Sequence, residues 1–195
     1  MNNTLSLTEK IDQAIREVPD FPIPGILFKD ITPILQNPKL CKEITLAFCE
    51  RIAPLQPQVI SAVESRGFFF GPLMAQELMI PFVPFRKKGK LPGKTIAHEY
   101  KLEYGTATIE VHSDQILPGQ RVIVHDDLLA TGGTAGASAE LVAQCGGEVV
   151  GFAFLVDLSF LNGREKLASF GVPIIDLIRY LYCLFEPEHL TKCQK

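Results

Sequence analysis

At 195 residues and 47% hydrophobic, the chain is long enough for one sizeable core and too short for two independent enzyme domains. Its formal net charge of −3 argues against a general nucleic-acid binder, which needs a basic face. With neither an 18-residue apolar run nor a basic N-terminal block leading into an apolar one, nothing directs it to a membrane or the secretory path.

Ser6 to Val18 is predicted as an amphipathic helix. Leu7, Ile11, Ala14, Ile15 and Val18 recur at helical spacing, Ser6 and Glu9 fit a capping box, and Pro19 ends the run. The next stretch, DFPIPGILFKDITPIL, has three prolines and a glycine among large apolar residues, so it is read as an ordered hood rather than a regular helix or interior strand. A helix is predicted over Pro38–Ile52 and a short buried strand over Val59–Val63, which stops at Glu64-Ser65-Arg66-Gly67. FFFGPLMAQELMI reads as a buried helix with Pro72 in its first turn, and PFVPF as a strand weakened by its prolines. Charged and punctuated by Gly and Pro, RKKGKLPGKTIAHEYKLEYG is predicted as a mobile loop or hairpin to about Gly105; Thr106–His112 alternates as a half-exposed strand. The last third reads as a strand RVIVHD, a helix over Ala135–Cys145 closed by Gly146-Gly147, and a second strand EVVGFAFLV. That βαβ unit predicts an α/β fold with a mostly parallel sheet flanked by helices. The five cysteines are odd in number and lack zinc-site spacing, which fits reduced thiols in a cytoplasmic protein.

The chemistry concentrates in VIVHDDLLATGGT, Val122 to Thr134. Ligands of open α/β sheets bind beyond the carboxyl ends of the strands, where Asp126 and Asp127 are expected. Ala130, Thr131, Gly132, Gly133 and Thr134 open directly into a helix, so backbone N–H groups and hydroxyls can surround a phosphate. Two acids beside that cradle would repel a bare phosphate. They become useful if the ligand also carries vicinal hydroxyls or a metal-bound group, because carboxylates accept from hydroxyls and hold hydrated Mg²⁺; a ribose 5-phosphate fits both halves. The plain alternative is a solvated βα loop with a capping threonine. Other phosphate motifs fail on spacing. Gly132, Gly133 and Gly136 do not form GxGxxG, and GKLPGKT has three residues between its glycines where a Walker A loop needs four.

VIVHDDLLATGGT resembles the phosphoribosyl pyrophosphate signature of type I phosphoribosyltransferases. FPIPGILFKDITPIL, ESRGFFFGP, RKKGKLPG, KLEYG, GQRVIVHDDLLATGGT and GREKL follow in the order of the adenine phosphoribosyltransferase family, a resemblance spanning about Ile11 to Tyr180. It implies the type I phosphoribosyltransferase fold, divided into a helix and base-binding hood (1–36), a core (37–180) with a flexible loop at about 86–105, and a C-terminal extension (181–195). The implied reaction is adenine plus phosphoribosyl pyrophosphate giving AMP and pyrophosphate, with Mg²⁺ as cofactor, by a cytoplasmic homodimer without nucleic-acid or membrane partners.

The implied roles follow residue by residue. Ala130 to Thr134 hold the 5′-phosphate; Asp126 and Asp127 take the ribose hydroxyls and place the metal through water and substrate. Ser65 and Arg66 bind pyrophosphate, with a non-proline cis peptide at Glu64-Ser65. Arg86, Lys87, Lys88 and Lys90 neutralise the leaving group, where electrostatic help counts most. Glu103 receives adenine's proton or stabilises cationic character, and Tyr104 closes the loop against water. Ile26, Leu27 and Phe28 sandwich the purine, whose edge is read by backbone groups of Leu27 and Lys29. Lys29 stands where relatives often carry arginine. His125 replaces an aliphatic residue and is read as a packed side chain facing away from Asp126; His98 is read as a surface residue of the loop. Two other classes remain: a phosphoribosyltransferase for another base, which leaves FPIPGILFKDI unexplained, and a non-catalytic regulator, which has no need of Arg66, Glu103 and the basic loop.

Overall fold

The computed structural model describes residues 5–101 and 105–182. Helix α1 (Leu7–Ala14) opens with the expected capping box, Ser6 accepting from Glu9 N and the Glu9 carboxylate from Ser6 N. It is shorter than expected. Ile15 already has extended dihedrals, and Arg16–Pro19 form a strand, β1, paired antiparallel with β2 (Leu27–Asp30). The residue before a proline disfavours helix, and two cross-strand ion pairs, Arg16–Asp30 and Lys29–Glu17, reward the ribbon. Thr32–Gln36 make a 3₁₀ turn; α2 (Pro38–Ile52) then matches its predicted span, with Asn37 capping Leu40 N and proline in the first turn.

Strand β3 (Val59–Val63) is also as predicted. It is followed by α3 (Gly71–Glu77), β4 (Phe82–Lys87), β5 (Thr95–Lys101), β6 (Thr106–His112), β7 (Arg121–Leu129), α4 (Gly133–Gln144), β8 (Glu148–Leu158), α5 (Gly163–Leu167) and β9 (Ile174–Tyr180). One seven-stranded sheet has the order β5-β6-β4-β3-β7-β8-β9; the five strands from β4 to β9 run parallel, and β5 and β6 add an antiparallel hairpin at one edge. Of the two forms expected for the charged segment, loop or hairpin, its second half takes the hairpin form from Thr95. The half-exposed reading of β6 also needs correcting at its centre, where Ile109, Glu110 and Val111 are buried.

Both faces of the central strands are covered. Val59, Val122, Val124, Phe152 and Phe154 face α4, α5 and the β5–β6 hairpin, whereas Ile60, Ile123, Ala153 and Leu155 face α1, α2 and α3. Alternate residues feed two cores, which is why these strands read as continuous apolar runs. Each fully buried Ile, Phe or Val contributes about 1.5–3 kcal/mol. Among the described residues no helix is long and apolar enough to cross a membrane.

Candidate active site

Strand β7 outruns its neighbour. Its pairing with β3 ends at Ala62 opposite His125, but pairing with β8 continues through Asp126 and Leu128 to Leu129. The strand was expected to stop at Asp126; β8 carries it three residues further. Asp126 and Asp127 thus project at the carboxyl edge of the sheet, backed on one side only. Asp126 lies deep but keeps an opening to solvent, and its Oδ1 accepts from Asp127 N at 2.9 Å. Burial, then the Asp127 charge, pushes the Asp126 carboxyl well above the ordinary range. Burial also raises Asp127, against the pull of Arg66. Two adjoining acids of raised pKa suit a site that a cationic or hydroxyl-bearing ligand completes.

Arg66 supplies one such charge. It follows the Glu64-Ser65 peptide, which is cis as expected, and its Nε stands 2.7 Å from Asp127 Oδ2, close but not aligned as a hydrogen bond. The same guanidinium lies 5.2 Å from the ring centroid of Phe28, which meets Phe21 edge-on at 5.1 Å. Hood and acid pair are therefore joined through one side chain. Leu27 and Phe28 are half-buried and Ile26 is exposed, whereas the Lys29 side chain is buried against Glu17 and over the Tyr180 ring, 4.0 Å from its centroid.

Beyond β7 the chain bends through Ala130 and Thr131 into α4. Gly132, at the N-cap, has φ +75° and ψ 3°, and no side chain caps the helix, which leaves the first-turn N–H groups available to an anion. A Cβ on Gly132 would stand 2.8 Å from the Gly163 carbonyl oxygen, so glycine is required by both dihedral and space. Thr134 Oγ1 lies 3.3 Å from the Tyr100 hydroxyl.

The basic segment is held by two carboxylates. Arg86 donates from Nε and Nη2 to Glu64 at 2.9 and 3.2 Å, and Glu64 also accepts from Lys87 N. The Arg86 hydrogen bond holds the Glu64 carboxyl below its usual range. Glu110, 4% exposed, accepts from Lys90 N and Leu91 N, both at 3.0 Å, and fixes the turn that presents Lys87, Lys88 and Lys90 to solvent. Glu103 and Tyr104 lie outside the described residues.

His125 is buried against Phe48, with Nδ1 2.8 Å from Ala153 O; burial lowers its pKa to about 4. It is a packed side chain, as read. His98 is less of a surface residue than expected. Its Nε2 meets Glu140 at 2.8 Å and its Nδ1 meets Gln144 at 2.8 Å, so β5 is tied to α4. Sequence reasoning missed this seam, the Tyr100–Thr134 contact and Glu110. In TATIEVH Glu110 falls on the polar side of the alternation, so nothing in the sequence marks it as buried. Burial raises the thiol pKa of Cys41, Cys49 (to about 11) and Cys145, as expected of inert thiols.

A parallel sheet ending in paired acids, followed by an uncapped glycine-bearing helix N-terminus, defines the phosphoribosyltransferase class, and the Phosphoribosyl transferase domain model matches residues 30–169. Adenine phosphoribosyltransferase of Cytophaga hutchinsonii is 51% identical over 174 residues, 89% of this chain and 96% of that protein. The crystal structure of adenine phosphoribosyltransferase from Thermoanaerobacter pseudethanolicus superposes with a TM-score of 0.86 at 49% identity, covering 90% of this chain and all of the other. The Saccharomyces cerevisiae enzyme, crystallised with adenine and an imino-altritol bisphosphate, gives 0.83 at 39% identity, covering 88% of this chain and 98% of its own. The chain belongs to the adenine phosphoribosyltransferase family.

Proposed function

We infer that the chain transfers the 5-phosphoribosyl group of phosphoribosyl pyrophosphate to adenine, giving AMP and pyrophosphate. The observation that carries the reading is the bridge formed by Arg66, which lies over the Phe28 ring and beside Asp127 and so joins an aromatic base site to a ribose-phosphate site. The reacting atoms must meet between those two halves.

The first-turn N–H groups of α4, with Thr131 and Thr134, hold the 5′-phosphate. Asp126 and Asp127 accept from the ribose hydroxyls, and Arg66 and Ser65 contact pyrophosphate. Mg²⁺ fits this donor set as an ion shared with the substrate. Among the described residues no three His, Cys, Asp or Glu side chains converge on one metal position, but two adjacent carboxylates suffice for a hydrated ion bound chiefly by substrate oxygens. When bound, it neutralises charge on the departing pyrophosphate. Lys87 and Lys90 share that task from the solvent side. Arg86, already satisfied by Glu64, serves it through the loop it braces.

Leu27 and Phe28 sandwich adenine, and backbone groups of Leu27 and Lys29 read its edge. As N9 bonds to the ribose carbon and the pyrophosphate C–O bond breaks, Glu103 takes the N9 proton and Tyr104 excludes water that would hydrolyse the sugar cation. A second copy of the chain brings further basic side chains to the pyrophosphate side, and the protein works in the cytoplasm. The test is AMP formation with Mg²⁺ titrated against a chelator, in wild type and Glu103→Gln. Metal-dependent turnover, with a slowed variant and an altered pH–rate profile, supports these roles; metal-independent turnover removes the ion, and an unchanged variant removes Glu103.

A further inference from the structure

Four charged side chains take no part in the chemistry above: Asp157 near the carboxyl end of β8, Arg164 on α5, and Asp176 and Arg179 on β9. Asp157 is 1% exposed. The Nε atoms of Arg164 and Arg179 stand 3.3 and 3.2 Å from its Oδ2, and their Nη2 atoms donate to Asp176 Oδ1 at 2.8 and 2.6 Å. Each guanidinium thus faces both carboxylates in a charge-balanced ring, hydrogen-bonded to Asp176 and paired with Asp157 by charge alone, since neither Asp157 oxygen has an aligned hydrogen bond. The two arginines differ in what they tie down. Arg179 shares β9 with Asp176. Arg164 belongs to α5, donates also to the Ile174 carbonyl at 3.1 and 3.3 Å, and directly follows Gly163.

At Gly163 this ring meets the phosphate cradle. A Cβ on Gly163 would lie 2.8 Å from Leu129 Cδ1 and would collide with the Ala130 carbonyl oxygen, just as a Cβ on Gly132 would press on Gly163 O. The two backbones touch with no side chain between them. The β7–β8 register sets Leu129 opposite Asp157, so ring, Gly163 and cradle lie side by side at the sheet edge.

We propose that Arg164 is a positioning residue for phosphate binding: gripped by Asp157 and Asp176, it holds Gly163 against Ala130–Gly132 and so sets where the first-turn N–H groups of α4 converge. This rests on the reading that Ala130–Thr134 hold the 5′-phosphate. Hydrogen-bond convergence is lost over a fraction of an ångström, so a small retreat of α5 is felt by the ligand.

The test measures ribose 5-phosphate affinity by calorimetry, and KM for each substrate, on the full chain. Arg164→Gln is expected to weaken ribose 5-phosphate and raise KM for phosphoribosyl pyrophosphate by about tenfold, with KM for adenine within about twofold. Arg179→Gln removes the same charge from the same ring without touching α5, and is expected to lower Tm while leaving ribose 5-phosphate affinity in place. Equal effects of the two variants on phosphate affinity overturn the proposal, and so does an unaffected Arg164→Gln. If Arg164→Gln does not fold, Gly163→Ala replaces it, with the same loss expected and an unchanged affinity as the refutation. Thr134→Ala separates the two readings. Weakened binding there beside an unaffected Arg164→Gln sinks only the positioning role, whereas no loss in either sinks the phosphate assignment too.

Discussion

Replacing Gly132 with alanine separates the shape of the cradle from its charge, since no ionisable group is gained or lost. With φ +75° at this position, any side chain enters the left-handed region at a cost of about 1–3 kcal/mol. The new Cβ would also stand 2.8 Å from the Gly163 carbonyl oxygen, whereas ordinary van der Waals contact begins at 3.4 Å, so loop and α5 must part by about 0.6 Å. Neither contact partner is a flexible side chain that could swing away. If that strain is relieved by displacing the loop, 1–3 kcal/mol corresponds to about 5- to 150-fold weaker phosphate binding. The assay is KM for phosphoribosyl pyrophosphate and affinity for ribose 5-phosphate, with urea unfolding run alongside. KM within twofold of wild type at unchanged stability would refute the assignment of this backbone to the phosphate.

Asp127→Asn keeps the shape of the side chain but removes the charge facing Arg66; turnover is expected to fall by about two orders of magnitude with the melting temperature little changed. Near-normal turnover contradicts the role of the acid pair. Glu110→Ala strips Lys90 N and Leu91 N of their shared acceptor, and is expected to raise KM for pyrophosphate severalfold in the reverse reaction while leaving KM for AMP alone. Parallel changes in both argue for general destabilisation instead. His125 has a folded-state pKa of about 4, below its ordinary 6.5, so as pH falls between those values the unfolded chain binds a proton that the folded state refuses. Its stabilising effect is complete above pH 6.5 and is lost as pH drops toward 4, by up to about 3 kcal/mol. His125→Val is expected to flatten that part of the stability profile in urea melts at pH 7.5 and 4.5; parallel profiles for the two proteins exclude His125 as its source.

What could be read directly from the residues was local. Asn37 and Pro38 announce α2, the β-branched run announces β3, and the alternation of Thr106–His112 gives β6 its span. The acid pair and glycine cradle were legible because strand, acids and helix start are contiguous. Helical periodicity carried Arg16–Val18 into α1, and only pairing with β2, about ten residues away, turns them to strand. The extension of β7 past Asp126 depends on β8, and the grip of Glu64 on Arg86 spans 22 residues. Glu110 beneath the basic turn and the Asp157–Arg164 ring are likewise tertiary contacts, with no periodicity or spacing to announce them.

The most direct measurement is nucleotide formation from phosphoribosyl pyrophosphate and Mg²⁺ with adenine, guanine, hypoxanthine and uracil offered separately. Turnover with adenine alone, giving AMP, is the expected result and ties the hood to the cradle. Turnover with another base contradicts the assignment of Leu27, Phe28 and Lys29 to adenine, and no turnover with any base contradicts catalysis itself.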